Sequence, residues 1–126
     1  MGVMKNFKVI IESPYQGFDM QDNINYARRC MLHSLQKGEA PFLSHLLYTQ
    51  VLDDDIPEER KMGLTLAQVW YDAADLCAVY TDRGISIGME EGINHALSLG
   101  LTVEERSIGH DKSKKGSARS YTPRWR

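Results

Sequence analysis

Asp75-Leu-Cys-Ala-Val-Tyr-Thr-Asp-Arg-Gly-Ile-Ser-Ile-Gly-Met89 decides the fold class. Its first half, Asp75–Tyr80, is a short apolar run closed by a turn, the pattern of a central strand. Asp82-Arg-Gly84 reverses the chain. Ser86 then caps a helix whose apolar residues Ile87, Ile93, Ala96 and Leu97 recur at helical spacing until Gly100 ends it. Leu101–Glu105 reads as the strand that follows. Strand, turn, helix and strand in this order form a βαβ unit.

The same grammar extends toward the N-terminus. Lys8-Val-Ile-Ile-Glu12 is a β-branched run that reads as a buried first strand. Ser13-Pro-Tyr-Gln-Gly17 breaks it, because Pro14 cannot continue a central strand and Gly17 permits a tight turn. Asp22 or Asn23 caps the next helix, with Ile24, Ala27, Met31, Leu32 and Leu35 at helical spacing and Gly38 as the stop. Glu39–Leu43 is a second strand end. Ser44 caps a turn over His45–Leu52, and Pro57-Glu58-Glu59 starts a helix that Met62, Leu66, Val69 and Trp70 continue. Strands alternating with helices predict a parallel sheet covered on both faces. Ligands bind such sheets beyond the carboxyl ends of the strands. The loops Ser13–Gly17 and Asp82–Met89 are therefore the expected cleft.

Composition sets the outer bounds. A chain of 126 residues fits one domain with a real core. No apolar run approaches the ~20 residues of a membrane span, and no signal peptide is recognisable, so a cytoplasmic protein is expected. Cys30 and Cys77 lie in apolar stretches without ligand-type spacing and read as buried thiols. His33 and His95 have no ligand-spaced partners, so neither a metal nor a cofactor is expected. The net charge of −2 hides an asymmetry: residues 106–126 hold seven basic residues and one acid, Asp111. The expected division is a domain over 1–107 and a basic tail over 108–126, with Tyr121 and Trp125 among its arginines.

Four constellations carry candidate chemistry. In Ser13-Pro14-Tyr15-Gln16-Gly17, free amides and a hydroxyl suit phosphate oxygens. Ser86, Gly88 and Met89 open a helix, whose N-terminal N–H groups favour an anion. Asp72, Asp75, Asp82, Glu90 and Glu91 supply carboxylates of the kind glycosidic-bond chemistry needs. His45, Tyr48 and Gln50 present hydrogen-bonding tips suited to a base or ribose. Each has a plainer reading: a strand-to-helix turn, a capped helix, solvated acids, and a packed histidine and tyrosine.

Taken in order, Ser13-Pro-Tyr-x-Gly17, Asn23-x-x-Tyr-Ala-Arg28, Gly38-Glu-Ala-Pro41, Ser44-His-Leu-Leu-Tyr-Thr-Gln50, Leu52-Asp-Asp54, Glu59-Arg60, Trp70 and Val79-Tyr-x-Asp82-x-Gly-Ile-Ser-x-Gly-Met89 carry a resemblance. Over residues 7–107 the chain resembles a phage- and bacteria-encoded branch of the nucleoside 2-deoxyribosyltransferase-like superfamily. The resemblance implies a compact Rossmann-like or flavodoxin-like three-layer α/β domain with about four to five parallel strands, forming homo-oligomers. It assigns phosphate binding to Ser13, Gly17, Ser86 and Gly88, and the loop aspartate of the enzymes to Asp82. It also places the enzymes' nucleophilic glutamate at Gly92, which has no side chain. Glu91 and Glu90 lie about 100° and 200° around the helix from that position.

Two functions follow, ranked in this order. The first is a binding protein that holds a nucleotide or ADP-ribose-like metabolite without turnover; in a phage setting it would sequester a host nucleotide signal in the host cytoplasm. Its expected contacts are Ser13, Pro14, Tyr15, Gly17, His45, Tyr48, Gln50, Asp82, Ser86, Gly88 and Met89. The second is an N-glycosidase or 2-deoxyribosyltransferase, with Glu90 or Glu91 as nucleophile or base and Asp82 as acid. A weaker third reading is an adaptor acting through the basic tail. No membrane contact is expected, and nucleic acid is disfavoured as a partner.

Overall fold

The computed structural model describes residues 6–15 and 19–109. Gly17 and the tail from His110 onward, with Tyr121 and Trp125, lie outside the described residues. Four parallel strands, β1 (Lys8–Glu12), β2 (Ala40–Phe42), β3 (Leu76–Tyr80) and β4 (Thr102–Arg106), form one sheet in the order β2-β1-β3-β4. The helices are α1 (Met20–Gln36), α2 (Ser44–Leu47), α3 (Pro57–Val69) and α4 (Ile87–Ser98). Short 3₁₀ turns follow α2 at Tyr48–Gln50 and α3 at Trp70–Ala73. This is a Rossmann-like three-layer α/β domain.

Alternation along the strands sorts the core into two layers. Val9 and Ile11 of β1 and Leu76, Ala78 and Tyr80 of β3 pack with Tyr26, Ala27 and Cys30 of α1. Ile10, Cys77 and Val79 point the other way, against Tyr71 and the α4 residues Met89, Ile93 and Ala96. The register pairs Ile10 with Cys77 and Glu12 with Val79, so Glu12 continues the face that Ile10 begins.

Several local expectations shift. Helix α1 starts earlier than Asp22, because the Asp19 carboxylate accepts from the Asp22 amide (3.0 Å) and caps the helix there. Its buried face is Tyr26, Ala27, Cys30 and Ser34, while Leu32 and Leu35 are 53% and 52% exposed. The stripe was read one step too far around: the face that meets the sheet is set by its small and aromatic residues. The N-cap of α2 is Leu43, not Ser44, and has no side-chain cap. Helix α3 begins at Pro57 as expected, yet only Ala67 of it is buried; Met62, Leu66, Val69 and Trp70 are exposed. Ile87 and Leu97 of α4 are likewise exposed. Arg106, counted with the basic tail, ends β4 instead. It is buried, its guanidinium bonded to both Glu39 carboxylate oxygens (2.8 and 2.7 Å) and to Tyr80 Oη (3.1 Å). That pairing holds the Glu39 carboxyl below the usual carboxylate range. No helix of the described residues is long and apolar enough to cross a membrane.

Candidate functional site

The strand order places β2 on one side of β1 and β3 on the other, so the connections leaving β1 and β3 diverge. Such a switch point leaves a crevice past the carboxyl ends of the two strands. A cavity of about 520 Å³ lies there, walled by the end of β1, the α2 segment, α3 and the start of α4. Ser13, Tyr15, His45, Tyr48, Ser86, Gly88, Met89, Glu91 and Gly92 all line it. Residues from both expected loops thus meet in one space.

Other expected residues are not in the lining. The Gln50 side chain donates to the Leu46 carbonyl (3.0 Å). Pro14 is buried and Glu90 half-buried, both outside the lining. Asp82 is turned toward α1. Its carboxylate accepts from Tyr26 Oη (2.6 Å), the Ser107 hydroxyl and the Ile108 amide (3.1 Å). Three donors from two elements make Asp82 a tie between α1 and the exit of β4.

At the start of α4, the Ser86 hydroxyl accepts from the Met89 amide (3.2 Å) and the Met89 sulfur from the Ser86 amide (3.4 Å). The Glu90 amide bonds the Ser86 carbonyl (2.9 Å). The first two helical residues, Ile87 and Gly88, face the cavity, and N–H groups at these positions have no partner within a helix. A Cβ added to Gly88 would meet only Ser86 Oγ, at 4.0 Å, so the space over it is open. This is an anion-compatible corner in the sense of helix-terminus binding.

Across the cavity, Ser13 Oγ and His45 Nε2 are hydrogen-bonded at 2.7 Å. Burial lowers the His45 pKa to about 4, so the ring is neutral at physiological pH and serves as a polar wall. Tyr15 meets the His45 ring edge-on, with centroids 6.1 Å apart. Phe42 and Tyr48 form an aromatic side of the cavity, and Trp70 supports it from outside. Trp70 stacks on Phe42 at 5.3 Å and donates from Nε1 to Tyr48 Oη (2.9 Å). Arg60, quoted with Glu59 in the sequence but not expected at the site, is the one permanent cation of the lining among the described residues; it stands 3.6 Å from Asp54.

The floor holds the other residue that the sequence reading missed. Glu12 ends β1 with its side chain on the Ile10 face, 8% exposed. Tyr71 Oη donates to its Oε2. Burial pushes the carboxyl up to about 8, and the tyrosine's hydrogen bond offsets only part of that. Gly92 lies directly above. A Cβ there would overlap Glu12 Oε2 and come within 2.7 Å of Cδ and 2.8 Å of Tyr71 Oη. Gly92 is therefore the residue that admits a buried carboxyl between β1 and α4. The signal for it was present in the alternation Val9-Ile10-Ile11-Glu12, which puts Glu12 inside rather than at the end of the run.

Residues 7–106 match the model of a family described as a domain of unknown function (DUF7768). No curated protein matches the chain.

Proposed function

For this chain, a member of the DUF7768 family, we propose that the cavity binds a nucleotide or nucleoside. The observation that carries the reading is the pairing, in one cavity, of a helix N-terminus with an aromatic wall. Backbone N–H groups at Ile87 and Gly88, with the Ser86 and Ser13 hydroxyls nearby, suit phosphate or sugar oxygens. Phe42, Tyr48 and Tyr15 offer faces and edges against which a base packs. About 520 Å³ falls within the range of small-ligand sites.

Gly88→Val tests this without disturbing the core, since its side chain would extend into open cavity. Calorimetry with a panel of nucleosides and nucleoside mono- and diphosphates should find a binder, and Gly88→Val should weaken it at least about tenfold, or ~1.4 kcal/mol. Undiminished binding by Gly88→Val, or no binder in the panel, overturns the reading.

A second copy of the chain is the partner this reading includes. Leu64 and Ile87 rim the cavity yet are 41% and 79% exposed, and Met62, Leu66 and Val69 form a further exposed apolar stripe on the side of α3 away from it. An exposed apolar stripe along a helix marks a contact face. Sedimentation equilibrium should give a dimer or larger, and Leu66→Glu should shift it toward monomer; a wild-type monomer at ~100 μM refutes the assignment, that being above typical specific-complex dissociation constants.

A further inference from the structure

Two other carboxylates at the edge of the core are met by buried arginines: Glu39 by Arg106 and Asp22 by Arg83. Glu12 is buried more deeply than either, and among the described residues no cation meets it. Tyr71 Oη donates to Oε2, while Oε1 bonds no described residue and opens on the cavity. The groups packed around the carboxyl are neutral. They are Tyr71 from the 3₁₀ turn, Cys77 from β3, and Met89, Gly92 and Ile93 from α4. Burial and the carboxyl itself push the Tyr71 and Cys77 pKa values up, so neither supplies a compensating charge. Ser13, next along the chain, bonds the neutral His45. The charged groups of the described lining are then Glu12, Asp54 and Glu91 against Arg60, which stands beside Asp54. An aromatic ring is close to Glu12 as well. The register pairs Phe42 with Ile10, and Glu12 lies two residues past Ile10 on the same face of the sheet. A strand spacing of ~4.8 Å and a rise of ~3.3 Å per residue put the Phe42 and Glu12 Cα atoms about 8 Å apart. Phe42 lines the cavity, and Trp70 stacks on it from outside.

We propose that the cavity selects a nucleoside or nucleotide whose base is a ring cation, a pyridinium or an N-alkylated purine, with the charged ring held against the Glu12 carboxylate and the Phe42 face. A buried carboxyl without a counter-charge costs stability, and a residue such as leucine would fill the space without that cost. The fold instead keeps the acid, clears a helix position for it at Gly92 and leaves one oxygen on the cavity. A cationic ring supplies the missing charge. Its faces are apolar enough to pack on Phe42, and the ring quadrupole of Phe42 attracts its charge. It needs no N–H group to satisfy Oε1, because the attraction is between whole charges at short range. A neutral base packs on the same wall but leaves the carboxyl uncompensated. Binding is therefore coupled to a proton. Without the cation, burial keeps the proton on Glu12 up to about pH 8. The cation favours the carboxylate, so the proton leaves to solvent as the ligand binds.

This inference rests on the nucleotide reading of the cavity, and the experiment separates the two. The full chain is titrated by calorimetry with 1-ribosylpyridinium and its neutral isostere C-ribosylbenzene, each with and without a 5′-phosphate. At pH 8 the cation should bind at least about tenfold more tightly than the isostere. Between pH 7 and 5 the affinity of the unphosphorylated cation should fall by about tenfold per unit, because only the ionised fraction of Glu12 accepts it. The affinity of the unphosphorylated isostere should show no such slope. Glu12→Gln should bind the two ribosides within about threefold of each other, without the slope. A cation that binds no more tightly than its isostere overturns the selection by Glu12 and leaves the nucleotide reading standing. So does a preference that survives Glu12→Gln, or a cation that fails to bind where members of the nucleotide panel do. No binding by either pair or by the panel overturns both.

Discussion

Glu12→Gln should melt well above the wild type at pH 8 and a few degrees below it at pH 4. The sign follows from where the proton sits. The folded chain holds the Glu12 proton until about pH 8, whereas the unfolded chain releases it near the ordinary 4.5. Below 4.5 both states are protonated and the residue contributes no pH dependence. Between the two values only the folded state carries the proton, so stability falls by about 1.4 kcal/mol for each pH unit. By pH 8 the loss is about 5 kcal/mol, and it then levels off. Glutamine bears no such slope. It keeps an oxygen for the Tyr71 hydroxyl and an N–H₂ in place of the acid O–H. Allowing about 1–2 kcal/mol for imperfect amide geometry, the net gain at pH 8 is about 3 kcal/mol, roughly 10 °C in melting temperature. Thermal melts of both proteins at pH 4, 6 and 8 measure it. A gap that does not change with pH, or no gap, would show that Glu12 ionises freely in the folded chain. A residue that lowers stability at working pH and is nevertheless accommodated marks a site where activity and stability conflict.

Gly92→Ala should destabilise the protein by about 1–3 kcal/mol, although the same change in an ordinary helix interior stabilises by about 0.5–1 kcal/mol. The new methyl would press on the Glu12 carboxyl and the Tyr71 hydroxyl, which sit 2.7 and 2.8 Å from it and are bonded to each other. Both must move, and both are buried. The cause is separable. In a Glu12→Ala background Tyr71 has room to retreat, and Gly92→Ala should become neutral or mildly stabilising. A double-mutant cycle by denaturant unfolding should therefore give a coupling of about 2 kcal/mol or more between positions 12 and 92. Additive effects within ~0.5 kcal/mol would mean that the glycine serves some other packing need.

Arg106 and Glu12 show where a local reading stops. Both stand in strands whose positions the sequence makes plain: β1 coincides with the predicted Lys8–Glu12, and β4 lies one residue beyond the predicted Leu101–Glu105. Each is a charged residue at the end of its strand, a position that looks like the surface. Arg106 is instead buried because Glu39, 67 positions away, reaches it across the sheet layer. Glu12 is buried because α4 carries a glycine over it. The nine expected residues that line the cavity, Ser13 to Gly92, sit at the β1 exit, on α2 and its 3₁₀ turn, and at the start of α4, places that turn and capping chemistry marked. Asp82 came from the same loop but turned away, because the Tyr26 hydroxyl of α1 claims it.

The sequence by itself determined the α/β class, the strand–helix alternation, the Ser86 cap and the two loops that frame the cavity. These depend on forces that act within about four residues: strand alternation, helix capping, proline and glycine backbone limits. Only the tertiary structure decided that the cavity's distinctive group is Glu12, held by Tyr71 beneath Gly92. The protonation and burial of a carboxyl depend on what covers it, and here the covering residues arrive from 59 positions away for the tyrosine and from a different helix for the glycine.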